Sequence, residues 1–160
     1  STGVSGGIVS GGKLLHGRLG NAGGLGHMVV EPDGRPCVCG GAGCLDAYCS
    51  RAAIEDETGR AAQRAPRAIM ERTGTLVGRA LASVGAMVDL KLAVVGGSLA
   101  LGYGDVFFTA AQLGHDLQYA RSKFLAKLQK RHRRNRRRFG SEHLCHRYGL
   151  TLLDLSEKRL

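Results

Sequence analysis

Leu76, Val77, Ala80, Leu81, Val84, Met87 and Val88 recur at the three- and four-residue spacing of a single helix face. This pattern predicts a long amphipathic helix whose apolar stripe belongs to a core. Just after it, residues 91–95 (Lys-Leu-Ala-Val-Val) read as a buried strand that runs into Gly96-Gly97-Ser98. A strand ending in a glycine pair and a small hydroxyl can hold a nucleotide at its carboxyl end, or can simply turn the chain into a helix. At the other end of the sequence, a glycine- and hydroxyl-rich opening leads into Ile8 and Val9. Ser10-Gly11-Gly12 then predicts a tight turn into a second strand at 13–16. Between these ends, residues 45–59 read as one helix favoured by Ala47, Ala52 and Ala53 and stopped by Gly59. Residues 60–67 are polar, contain Pro66 and read as a connection.

Composition changes this picture in one respect. The 160 residues, 43% of them hydrophobic, are enough for one domain with a core. No apolar run approaches a membrane span and no secretory signal opens the chain, so a cytoplasmic location without membrane contact is expected. The net charge of +10 is not spread evenly. Residues 121–138 carry ten Lys or Arg and no acid, while the other 13 bases balance 13 acids. The basic character therefore belongs to a tail. It reads as a solvated extension, with non-specific contact to nucleic-acid phosphates as the functional possibility. His143, Cys145 and His146 give only a loosely spaced hint of a second metal site.

The densest chemistry lies between Gly26 and Leu45. His27 precedes Cys37, Cys39 and Cys44 in a loop rich in glycine and proline. Three sulfurs and one ring nitrogen complete a tetrahedral set for a structural zinc ion. Pro32, Asp33, Gly34 and Pro36 are turn residues able to fold the loop back on itself. Two other readings stand beside this one. Cys49 could replace His27 as the fourth ligand, or the thiols could pair as disulfides, although five cysteines leave one over.

Taken in order, Gly26-His27, Cys37-Val38-Cys39-Gly40 and Gly43-Cys44-Leu45-Asp46 resemble the zinc motif of the ROK family of repressors and sugar kinases. The resemblance runs from Ser1 to about Ala111. It implies an α/β chain with the actin-like ATPase (ribonuclease H-like) fold, of which this sequence would supply the C-terminal lobe with a zinc loop at 27–44. Residues 1–111 would form a partial kinase domain and 112–160 a basic extension unlike the family. ROK kinases use ATP with magnesium to phosphorylate hexoses or N-acylhexosamines, and family members associate as homo-oligomers.

Carried over residue by residue, the resemblance assigns His27, Cys37, Cys39 and Cys44 to zinc. It assigns His27 and Asp46 to the sugar, and Thr2, Gly3, Gly6, Gly7, Gly96 and Gly97 to the nucleotide. Two departures stand out. Gly24 occupies a position where ROK kinases usually carry a sugar-binding glutamate, and Asp46 replaces another glutamate with a shorter acid. No residue matches the motif of the family's aspartate base, so no catalytic residue is assigned, and a fragment inactive by itself is expected. The alternative is the sensor portion of a ROK repressor. The abrupt change of composition after Ala111 also suits a segment read out of its ancestral frame.

Overall fold

The computed structural model describes residues 3–90, 92–119, 127–130 and 150–154. Strand β1 (Ser5–Ser10) turns at Gly11 and Gly12 into β2 (Lys13–Leu14), the hairpin expected, with its second strand shorter than 13–16. The metal-loop segment follows. Then come helices α1 (Asp46–Cys49), α2 (Arg51–Thr58) and α3 (Arg67–Val88). Strand β3 (Leu92–Val95), α4 (Ser98–Tyr103) and α5 (Asp105–Tyr119) complete the part carrying the site.

The single helix expected over 45–59 is two. Ser50 leaves helical geometry at ψ 156°, and its hydroxyl accepts a hydrogen bond from the Ala53 N–H at 3.2 Å, capping α2. The long amphipathic helix is present and starts earlier than its apolar stripe, directly after Pro66, whose fixed φ suits a helix start.

Helix α3 packs along α5 at close range. A side chain at Gly78 would collide with the Ala111 carbonyl, and one at Gly114 with the backbone of Thr75. Small residues on both helices therefore let the backbones approach. Leu45, Ile54, Leu81 and Leu90 are fully buried in the core that this pair shares with α1, α2 and β3.

The sheet runs in the order β2, β1, β5, β3, β4, where β4 is Lys127–Lys130 and β5 is Leu150–Asp154. Strand β4 pairs parallel to β3, and β5 lies between β1 and β3. Helix α5 continues past Ala111, where the extension was expected to begin, and two later segments join the sheet. Lys127, Leu128 and Gln129 are good helix formers, yet they lie in a strand because β3 offers an unpaired edge, and edge pairing overrides weak propensity. The basic run at 131–138, and His143, Cys145 and His146, lie outside the described residues. No described helix is long and apolar enough to cross a membrane.

Candidate metal centre and adjoining cleft

The loop that carries the thiols is a nested hairpin. Its outer rungs run from Leu45 N–H to Met28 O and from Val30 N–H to Gly43 O, both at 2.8 Å. Its inner rungs join Gly43 N–H to Arg35 O and Cys37 N–H to Gly41 O, also at 2.8 Å. Gly43 has φ +75° and lies against the Glu31 carbonyl, a place with no room for a side chain. His27 ends a short 3-10 turn (Leu25–His27) at the head of the outer arm, and Cys44 stands on the returning arm. Cys37 and Cys39 flank the exposed Val38 at the inner tip.

This folding brings the four predicted donors together. One ligand atom from each of His27, Cys37, Cys39 and Cys44 lies within 4.8 Å of all the others. Cys39 Sγ is 3.6 Å from Cys44 Sγ, and Cys37 Sγ is 3.8 Å from His27 Nδ1. An ion about 2.3 Å from each sulfur, tetrahedrally bound, requires sulfur–sulfur edges of about 3.8 Å. The donor set and its spacing therefore fit zinc. Hydrogen bonds, first from the Gly41 backbone and then from the neighbouring thiols, lower the pKa of Cys39, whereas burial pushes that of Cys44 up to about 12.

Cys49 is not in the cluster. Its thiol is buried in the core, directed at the Thr73 carbonyl at 3.9 Å, and burial pushes its pKa up to about 12. Cys37, Cys39, Cys44 and Cys49 are all free thiols.

A polar clasp that sequence reading missed holds the loop to the helices. The Arg35 N–H donates to Tyr48 Oη at 2.8 Å, and the Arg35 guanidinium lies 4.9 Å over the same ring. Both terminal nitrogens of Arg35 donate to the Glu57 carboxylate, at 2.9 and 3.0 Å. Arg72 of α3 forks onto Glu57 as well, its Nη1 donating to Oε1 at 2.6 Å. The guanidiniums of Arg72 and Arg35 hold the Glu57 carboxyl far below the usual carboxylate range. These partners are 15 and 22 positions from Glu57, so no local motif could have signalled them.

The predicted sugar and nucleotide residues divide into groups. Asp46, two positions after Cys44, accepts a hydrogen bond from the Val4 N–H and borders a hollow of about 430 Å³ between the metal loop and α2. Gly24 has φ −66°, and a side chain there would meet only the Asn21 carbonyl, at 3.4 Å. Gly3, Gly96 and Gly97 line a cleft of about 70 Å³ floored by Val77, Val95 and Phe107. Gly6 and Gly7 do not line it. They lie in β1 and pack against Gly23, and a side chain at Gly6 would meet Leu25 and the Gly23 carbonyl. Thr2 lies outside the described residues.

A mixed sheet with helices packed on it, a thiol–imidazole loop and a glycine-lined cleft define an α/β protein with a candidate metal centre. The chain belongs to the ROK family, whose sequence model matches residues 1–107. It is 38% identical over 119 residues to N-acetylmannosamine kinase from Escherichia fergusonii, an alignment covering 65% of this chain and 41% of that protein. The ROK hexokinase from Thermus thermophilus superposes with a TM-score of 0.70 at 29% identity, over 82% of this chain and 49% of the hexokinase. A ROK glucokinase from Streptomyces griseus, solved with glucose and AMPPNP, shares the fold with a TM-score of 0.66 at 23% identity, over 81% of this chain and 53% of its own. These neighbours have the actin-like ATPase fold. The chain thus spans less than half the length of the curated relative it matches.

Proposed function

We propose that this chain is the C-terminal lobe of a ROK sugar kinase, with a structural zinc held by His27, Cys37, Cys39 and Cys44. The convergence of those four donors, in a chain similar to an N-acetylmannosamine kinase, carries the reading. In the whole protein the reaction is transfer of a phosphoryl group from ATP with magnesium to a hexose or N-acylhexosamine. The cleft at Gly3, Gly96 and Gly97 contributes part of the nucleotide surface. His27 and Asp46 face the sugar side, and the zinc stiffens the loop that carries them.

This lobe by itself does not turn over. Phosphoryl transfer depends on positioning the acceptor and removing its proton, and the sequence contains no match to the family's aspartate base. Gly24 offers no carboxylate to sugar hydroxyls, and Asp46 Oδ1 is already engaged by Val4. A coupled ADP-release assay with glucose, N-acetylglucosamine and N-acetylmannosamine tests this. No sugar-dependent turnover is expected; turnover abolished by chelating the metal would overturn it.

The open position at Gly24 also favours a second reading, the sensor portion of a ROK repressor. The DNA upstream separates the two. A winged helix encoded there supports the repressor, and an Asp-Gly-Gly-Thr loop followed by an Asn-Asp pair supports the kinase. Any contact of the basic run at 121–138 with nucleic acid is non-specific and weakens steeply as salt rises.

A further inference from the structure

Arg51 is the only charged residue lining the cleft between Gly3 and Gly97 among the described residues. Its backbone position is fixed by the Ser50 cap, which starts α2 at Arg51 and so puts this residue at the cleft edge. The other arginines near the metal loop are spoken for: Arg35 and Arg72 by Glu57, and Arg79 by Glu31. Arg51 makes no ion pair among the described residues. The rest of the lining is apolar side chain, hydroxyl or glycine backbone, with Val95 and Phe107 on the floor and Ser98 at the rim.

A lone cation at an acid-free cleft selects for an anion. Guanidinium is suited to phosphate because its planar fork can donate two parallel hydrogen bonds, and because the charge persists at any physiological pH. An apolar floor also strengthens the attraction, since fewer waters screen it. On the reading that this cleft is nucleotide surface, we propose that Arg51 binds a phosphate group of the nucleotide. The cleft then discriminates nucleotides by their phosphates rather than by the nucleoside alone.

Titrations of the full chain with ADP and with adenosine, followed by the amide chemical shifts of Gly97, test the assignment. R51Q should weaken ADP binding about tenfold, as expected for losing one charge-assisted contact, and leave adenosine binding unchanged. R51K, which keeps the charge but loses the fork, should fall between R51Q and the parent for ADP. Metal content and circular dichroism of both variants check that the fold is retained. Equal ADP affinity in R51Q and the parent would overturn the role of Arg51 while leaving the cleft's nucleotide reading standing. Parallel weakening of ADP and adenosine would do the same. Failure of the parent chain to bind either molecule would overturn both.

Discussion

The Oδ1 atom of Asp46 accepts a hydrogen bond from the backbone N–H of Val4 at 2.6 Å, across 42 positions of sequence. One carboxylate thereby ties the metal loop to the glycine-rich opening that enters β1. The join is tight on both sides, because a side chain at Gly26 would collide with the Val4 carbonyl and one at Gly3 would press on the Asp46 carboxylate. The shorter acid at this position has a physical consequence. It holds the backbone of the opening segment, a use that would compete with the sugar contact proposed for it.

D46A should free the opening segment. Hydrogen exchange at the Val4 amide is expected to accelerate, and global stability to fall by about 1–3 kcal/mol for a lost charge-assisted bond. D46N, which keeps an acceptor, should lose less. Unchanged Val4 protection in D46A would show that the bond does not hold the segment.

The Glu57 clasp makes stability depend on acid. Arg72 and Arg35 hold the folded-state pKa of Glu57 below its ordinary 4.5, so its contribution is fully present above about that pH. The contribution is lost as pH falls from there toward the folded value. Denaturant melts of the parent from pH 7 to pH 3 should show this decline, and E57Q should be flatter over the same range. At pH 7, E57Q should be less stable by about 1–3 kcal/mol, since two guanidiniums lose their shared anion. An E57Q curve parallel to the parent's would contradict the clasp.

Two neighbouring glycines should behave oppositely. Gly23 has φ +87°, and a side chain there would sit 2.8 Å from the Gly6 carbonyl oxygen, so G23A should destabilise by about 1–3 kcal/mol. Gly24 is at ordinary φ, and a side chain there makes only an ordinary contact with the Asn21 carbonyl, so G24A and G24E should stay within about 0.5 kcal/mol of the parent. Thermal melts of the three variants decide this. If G24E unfolds the chain, the room for a side chain at Gly24 is not real.

What could be read from the sequence follows the range of the forces involved. The convergence of four donors was legible because His27, Cys37, Cys39 and Cys44 lie in one short loop whose glycines and prolines fold it back. Helix α3 was legible because its apolar stripe recurs over many turns. The break at Ser50 was missed because a single side-chain cap outweighed the alanines on either side. The strand at Lys127–Lys130 was missed because its partner is β3, far back in the chain, while its local propensity favours helix. The clasp of Arg35, Tyr48, Glu57 and Arg72 and the lone charge at Arg51 depend on which elements meet. Their residue types alone suggest only a solvated surface.

Cobalt substitution tests most directly whether His27, Cys37, Cys39 and Cys44 hold one tetrahedral metal ion. The full chain, stripped of metal and titrated with cobalt(II), should saturate at one ion per chain. It should show the visible d–d bands of a tetrahedral site and the thiolate charge-transfer absorption of three sulfurs. C39A and H27A should bind more weakly and change the bands, whereas C49A should leave the spectrum and stoichiometry as in the parent. An octahedral spectrum, no saturable binding, or a loss of the bands in C49A with H27A unaffected would contradict the site as described.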